Sequence, residues 1–144
     1  MMTNITDKAP IILDTHVILW SLIEPEQLSD EVKNIISNAQ EDNRLFLSSI
    51  SLWEIAMLKL KKRINIYQQV KQFLNAIEDI DGLRILDLTA TIAAESTLLT
   101  DGFHGDPADR IIVASAIDKS ACLVTRDNQI LSWADNGHIR VIKA

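Results

Sequence analysis

The stretch Ile11–His16, with the sequence IILDTH, decides the fold of this chain. Its three apolar residues are typical of a short buried strand, and the aspartate that ends them is a poor strand former. A helical pattern follows directly over 17–23. A buried strand that passes straight into a helix predicts an α/β fold, and it places Asp14 at the carboxyl end of the strand.

The same arrangement recurs along the chain. The predicted strands, each short and rich in Ile, Leu or Val, are 11–14, 44–48, 83–86, 121–125 and 139–142. The predicted helices lie near 17–23, 30–41, 51–63, 67–80, 90–100, 107–119 and 128–134. Because strands alternate with helices, we expect a parallel sheet that is covered on both faces.

Composition sets bounds on the class of protein. The 144 residues, 47% of them hydrophobic, suffice for a sizeable core, and we expect a single domain over 1–144. The one cysteine, Cys122, cannot form an intrachain disulfide and lies in an apolar run, which favours a buried thiol and a reducing cytoplasm. No apolar run approaches the ~18 residues of a membrane span, so we expect an untargeted protein without a membrane partner.

The net charge of -6 argues against a protein that holds nucleic acid by overall attraction. Four of the fourteen cations nevertheless lie within 59–63, with the sequence KLKKR. Such a basic strip can contact phosphates, or it can favour the negative end of a helix. The sequence leaves both interpretations open.

Four carboxylates, Asp14, Glu54, Asp109 and Asp127, are the candidates for chemistry. Asp14 and Asp127 follow apolar runs, and ligands bind at the carboxyl ends of parallel strands. Four acids held together would repel, since two unit charges ~4 Å apart cost about 4 kcal/mol at an effective dielectric near 20. We therefore expect one or two divalent cations, which can activate water against a phosphodiester. Nearby hydroxyls that could orient such water are those of Thr15, Ser48, Ser49 and Thr125.

Three of these acids also have a structural explanation. Glu54 ends the sequence SLWE at 51–54, which matches the capping box of a helix start. Asp106 can cap a helix whose positive end favours Asp109, and Asp127 can cap the helix near 128–134. The sequence alone does not choose between capping and catalysis for any of the three.

The other candidates carry less information. His16, next to Asp14, can contact substrate or metal or simply pack, whereas His104 and His138 have no partner at metal-ligand spacing. The chain has neither a glycine-rich phosphate loop nor a Gly-x-Ser-x-Gly turn, which excludes nucleoside-triphosphate and serine-hydrolase sites of those types. Core packing is the default for the three tryptophans, which are Trp20, Trp53 and Trp133.

Four segments of the chain resemble, in order, the four motifs of the PIN domain. They are Ile12–His16, Ser49–Ile55, Asp106–Ala116 and Leu123–Asp127. The resemblance covers about residues 11–142 and is greatest to the compact VapC-type toxins of toxin–antitoxin pairs. It implies a three-layer α/β/α sandwich with a five-stranded parallel sheet, and an endoribonuclease that depends on Mg²⁺ or Mn²⁺. It also implies an RNA substrate, a homodimer and a small antitoxin partner.

The resemblance also assigns roles to individual residues. It makes Asp14, Glu54 and Asp109 the core metal-binding and catalytic acids, Asp127 a more variable fourth, and Asp106 an auxiliary. Two other functions stay open: a partner-binding member of the same fold without activity, and a metal-dependent phosphatase. The phosphatase is disfavoured because the haloacid-dehalogenase pattern needs an aspartate where this chain has His16.

Overall fold

The computed structural model describes residues 8–100, 102–103 and 105–144. Its strands are β1 Ile11–Leu13, β2 Leu45–Ser48, β3 Leu83–Leu86, β4 Cys122–Thr125 and β5 Arg140–Lys143. Its helices are α1 Thr15–Ile23, α2 Asp30–Glu41, α3 Ser49–Leu60, α4 Val70–Glu78, α5 Ala90–Ser96, α6 Pro107–Lys119 and α7 Asn128–Ala134, and a 3-10 turn spans Pro25–Gln27. Each strand lies within one residue of its predicted bounds.

All five strands run parallel, in the order β3-β2-β1-β4-β5. The register places Ile12 between Phe46 of β2 and Leu123 of β4. From β1 the chain builds one half of the sheet through β2 and β3, and then returns to build the other half from β4. The crevice at the carboxyl ends of β1 and β4 is therefore a topological switch point, where open α/β sheets bind ligands.

Helices cover both faces of the sheet. Ile11 and Leu13 of β1 pack into a core shared with α1, α2, α3 and α4, whereas Ile12 points to a second core shared with α6 and α7. Successive residues of a strand face opposite sides of the sheet, and all three side chains are fully buried because helices cover both sides. The predicted three-layer α/β/α fold with a five-stranded parallel sheet is thus confirmed.

The helix bounds differ from prediction where hydroxyl side chains bind the backbone. The helix predicted over 51–63 is α3, which begins two residues earlier because the hydroxyl of Ser48 accepts the N–H of Ile50. The helix predicted over 90–100 ends at Ser96, where the hydroxyls of Ser96 and Thr97 donate to the carbonyls one turn back. Such local bonds compete with continued helix.

The predictions about burial are met in part. Cys122 is a free, buried cysteine, and burial raises the pKa of its thiol. Trp133 belongs to the core, but Trp53 is 56% exposed, so the expectation of core packing is wrong for Trp53. Within the described ranges, no helix combines the length and the apolar character that crossing a bilayer requires.

The central strand should dominate stability. Ile12→Ala should lower the free energy of unfolding by about 2–5 kcal/mol, because the deleted methyl groups leave a cavity between the sheet and helices α6 and α7. Ile12→Val should lower it by only ~0.5–1.5 kcal/mol. Urea denaturation followed by circular dichroism measures both. As a control, Ile117→Ala on the surface of α6 should change stability by less than about 1 kcal/mol, and equal losses at the two positions would contradict this core.

Candidate metal centre

A cavity of about 380 Å³ opens at the carboxyl ends of β1 and β4. The four acids singled out in the sequence all line it, and Asp106 joins them. The remaining lining side chains are those of Thr15, His16, Trp20 and Arg126. Residues far apart in sequence meet here because the acids follow parallel strands or lie in the helices that begin at the same edge of the sheet.

Asp14 forms the floor of this carboxylate cavity and is only 7% exposed. One carboxylate oxygen, Oδ1, accepts the N–H of Thr15 at 2.8 Å, and Oδ2 accepts the hydroxyl of Thr125 at 2.6 Å. Burial raises the pKa of Asp14, and these two hydrogen bonds act against that rise because they favour the charged form. The chain thus fixes the orientation of the Asp14 carboxylate with its own donors.

Glu54 projects from α3 toward the N-terminal end of α1. The hydroxyl of Thr15 donates to Glu54 Oε1 at 2.5 Å, and the hydroxyl oxygens of Thr15 and Ser51 lie 2.8 Å apart. Because α3 begins at Ser49, Ser51 is not the cap residue, and the capping-box interpretation of Glu54 is wrong. Burial raises the pKa of Glu54, and the Thr15 hydrogen bond opposes the rise. Glu54 is therefore held by tertiary contacts.

Asp106 and Asp109 lie at the start of α6. Asp106 caps this helix as predicted, since its Oδ1 accepts the N–H of Asp109 at 2.9 Å and Pro107 occupies the first helical position. Burial first, and then repulsion from the four other acids, raises the pKa of Asp109 to about 7. More neighbouring acids thus raise the pKa of Asp109 than raise that of Asp14 or Glu54.

Asp127 caps α7 and is linked to Asp14 through Thr125. Its Oδ1 accepts the N–H groups of Gln129 at 2.8 Å and Ile130 at 3.1 Å. Its own N–H donates at 3.0 Å to Thr125 Oγ1, the hydroxyl that donates to Asp14. The predicted capping role of Asp127 is confirmed, and it does not exclude a contact with a ligand in the cavity that Asp127 also lines.

Three of the acids are spaced for one cation. One oxygen from each of Glu54, Asp106 and Asp109 lies within 4.8 Å of the other two. Hard divalent cations bind oxygen at about 2.0–2.6 Å, so a single ion can contact all three. In the described part of the chain no Lys or Arg pairs with these acids, and the ion pair found there joins Arg44 to Asp42. The donor set therefore fits a divalent cation, and it includes Asp106, which the resemblance made only an auxiliary, beside the predicted Glu54 and Asp109.

Two features near the cavity were not foreseen from the sequence. Ser51 supports Thr15, and the only signal for it was its place one helical turn before Glu54 on the same face of α3. The guanidinium of Arg126 lies 4.1 Å above the ring of Trp20 and donates to the carbonyls of Gln27 and Ala144. Arg126 thus lines the acidic cavity but forms no ion pair with the described acids there.

The two described histidines, His16 and His138, are not part of the metal-binding trio. His16 is exposed at the cavity wall, with its ring centre 5.9 Å from that of Trp20. His138 stacks on Trp133 at 4.5 Å, and His104 lies outside the described residues. Of the predicted hydroxyls, Thr15 and Thr125 contact carboxylates, whereas Ser48 caps α3.

Comparison with known proteins gives consistent results. The profile of the PIN domain matches residues 11–135. Ribonuclease VapC22 of Mycobacterium tuberculosis (strain ATCC 25618 / H37Rv) is 35% identical over 122 residues, which cover 85% of this chain and 90% of that protein.

Solved structures share the fold over nearly the whole chain. The DNA-bound VapBC from Salmonella typhimurium has a TM-score of 0.65 at 18% identity and covers 94% of this chain and 98% of its own. FitAcB from Neisseria gonorrhoeae has a TM-score of 0.61 at 27% identity and covers 92% and 96%.

The family match extends from the first strand to the end of α7 and includes all five acids of the carboxylate cavity. The resemblance drawn from the four sequence motifs is therefore confirmed. This chain belongs to the PIN-domain family.

Proposed function

We propose that this chain is a metal-dependent endoribonuclease, the toxin of a toxin–antitoxin pair. The observation that carries the proposal is the trio Glu54, Asp106 and Asp109, with three oxygens within 4.8 Å at the switch point of the sheet. Ribonuclease VapC22, at 35% identity, supports RNA as the substrate. The complexes of VapBC and FitAcB support an antitoxin as partner.

The proposed metal is Mg²⁺ or Mn²⁺. In the described part of the chain the candidate ligands are carboxylates, and no Cys or His joins them, which favours a hard cation over zinc. When bound, such a cation supplies an activated water and stabilises negative charge on the phosphodiester. The cation also offsets the repulsion that adds to the effect of burial in raising the pKa of Asp109.

Each acid has a proposed role in this site. Glu54, Asp106 and Asp109 hold the cation, while Asp14 and Asp127 line the same cavity, where they bind a second cation or orient water for attack. Thr15 keeps the Glu54 carboxylate directed into the cavity, and Thr125 does the same for Asp14. We treat all four predicted acids, together with Asp106, as catalytic or metal-binding residues.

The proposed protein partners are an antitoxin and a second copy of this chain. Large apolar side chains on the surface, such as Trp53, Leu60 and Tyr67, offer area for such contacts, and Tyr67 is 95% exposed. The acidic cavity would also accept an arginine from an inhibitory partner, because a guanidinium pairs with carboxylates through two parallel hydrogen bonds.

Two other functions compete with this proposal. A phosphatase of the haloacid-dehalogenase type needs a second aspartate where His16 stands. A partner-binding member without activity would have no need for a trio of acids that repel one another. Incubation with Mn²⁺ and either RNA or a chromogenic phosphomonoester separates the three functions. A ribonuclease should cleave only the RNA, a phosphatase only the phosphomonoester, and an inactive partner-binding module neither.

Glu54→Gln tests the metal role directly. The amide keeps an oxygen for the Thr15 hydroxyl but loses the charge, so we expect an equal or higher melting temperature without metal. Mn²⁺ at about 100 times its dissociation constant should stabilise the wild type by ~2.7 kcal/mol, and it should stabilise the variant less. RNA cleavage should fall sharply.

Calorimetry and a gel assay on labelled RNA measure these effects, with Glu41→Gln at the exposed end of α2 as the matched control. Full cleavage by Glu54→Gln at saturating Mn²⁺ would remove this residue from the site.

The pH dependence of stability tests Asp109. Its pKa is about 7 in the folded chain against an ordinary 3.8, so between these values the folded chain binds one proton more than the unfolded chain. The metal-free protein should therefore lose stability as the pH rises from about 4 to about 7. Asp109→Asn cannot ionise, so its melting temperature should exceed that of the wild type above about pH 7 and match it near pH 4.

Thermal denaturation in EDTA across this range gives the comparison. Asp87→Asn, at an exposed position after β3, is the control and should track the wild type. Parallel profiles for the wild type and Asp109→Asn would show that burial and repulsion do not raise the pKa of Asp109 in the folded chain.

The basic strip at the end of α3 is a second proposed contact with RNA. Lys59, Lys62 and Arg63 line a cavity of about 860 Å³, and the Lys59 ammonium donates to the carbonyl of Gln68. If the strip binds phosphates, Lys61→Gln with Lys62→Gln should flatten the slope of log affinity against log salt by about 0.7 per lost contact on single strands. An unchanged slope in anisotropy titrations would assign the strip to the helix end or to a protein interface.

A further inference from the structure

A second concave surface lies beside the carboxylate cavity, along α7. Its volume is about 360 Å³, within the ~300–1,000 Å³ of small-ligand sites. The side chains of Asn128, Gln129, Ser132 and Asn136 supply its polar lining, and Phe103 and Trp133 supply apolar walls. We call this surface the amide pocket.

The amide pocket adjoins the proposed catalytic acids on two sides. Asn128 and Gln129 directly follow Asp127, whose carboxylate accepts the N–H of Gln129 at 2.8 Å. A methyl group placed on Gly105 would lie 2.5 Å from Phe103 Cζ and 2.9 Å from Asp109 Cβ. Phe103 therefore lies close to Asp109, and the amide pocket begins at the residues next to two acids of the carboxylate cavity.

The described lining of the pocket offers hydrogen-bonding groups that carry no charge. No described residue bonds to the side-chain amides of Asn128, Gln129 and Asn136, and the described side chains that line the pocket include no ionisable group. Phe103 and Trp133 are 4% and 5% exposed, and the indole N–H of Trp133 donates to the Thr100 carbonyl at 2.7 Å. The aromatic residues are thus fixed walls, and the amides are the groups available to a ligand.

We propose that the amide pocket binds an unpaired base of the RNA, adenine by preference, beside the phosphodiester that is cut. An amide presents one donor and one acceptor side by side, and this pair matches the N6 and N7 atoms of adenine. The inference rests on the proposed ribonuclease function, which it extends to the choice of cleavage site.

The charge of the chain favours recognition through bases. Affinity for phosphates depends on cations, and both the net charge of -6 and the carboxylate cavity act against it. Proteins that recognise single-stranded RNA by sequence hydrogen-bond to the edges of unstacked bases. The uncharged amides of Asn128, Gln129 and Asn136, next to the acids, supply such contacts at the position where they would set the site of cleavage.

Cleavage of short single-stranded RNA of randomised sequence, with Mn²⁺ and with the cut sites read by sequencing, tests the proposal. The wild type should prefer adenine at one position beside the cut by roughly tenfold, within the range of a two-pronged amide contact. Gln129→Met and Asn136→Leu retain the approximate size of the side chain and remove its hydrogen bonds. Each should reduce the preference by several-fold.

Gln72→Met is the matched control, because it makes the same change on α4, which packs against β3 on the other half of the sheet. It should leave the base preference unchanged. Cutting by the wild type without preference for adenine at any position, or a preference that survives both pocket variants, would overturn the proposal.

A binding measurement separates this inference from the proposed function. In EDTA, where no cleavage occurs, fluorescence anisotropy compares labelled oligoadenylate with oligocytidylate and oligouridylate of equal length. The wild type should bind oligoadenylate most tightly, and Gln129→Met should remove the difference. Equal affinities in the wild type would refute the pocket. A wild type that discriminates bases but cuts no RNA would instead refute the proposed enzymatic activity.

Discussion

Repulsion among five carboxylates is the constraint on which the rest of this structure depends. Asp14, Glu54, Asp106, Asp109 and Asp127 line one cavity, where burial, together with repulsion from the other four acids, raises the pKa of Asp109 to about 7. The fold opposes this repulsion with its own donors. Helix starts provide N–H groups, the positive ends of helix dipoles favour the acids, and two threonine hydroxyls bind carboxylates directly.

The parallel sheet makes this arrangement possible. Because β1 is fully buried between β2 and β4, the positions of Asp14 and Thr125 relative to each other are set by the register of two strands. The cores on both faces, built around Ile12 on one side and Leu13 on the other, hold the helices that bring the remaining acids. The buried sheet and its two cores thus stabilise the fold, and the mutually repelling acids lie at the carboxyl ends of its strands. Functional sites commonly contain such locally unfavourable arrangements.

The sequence predicted the strands to within one residue because each is a short apolar run with clear ends. Its four motifs also identified the PIN family and the acids that line the cavity. The capping-box interpretation of Glu54 was wrong because Ser48, at the end of β2, caps α3. The helix therefore begins before Ser51. Sequence gives no distances, so it could not show that Glu54, Asp106 and Asp109 each bring an oxygen within 4.8 Å of the other two, nor that amides along α7 line a pocket.

The central claim is that the trio Glu54, Asp106 and Asp109 holds a divalent cation. A crystal structure of the wild type grown with Mn²⁺, with diffraction data collected at the manganese absorption edge, tests it most directly. We predict an anomalous peak with one oxygen from each of these three residues at about 2.0–2.3 Å. An empty cavity at saturating Mn²⁺, or an ion bound elsewhere with the trio unchanged, would contradict the account.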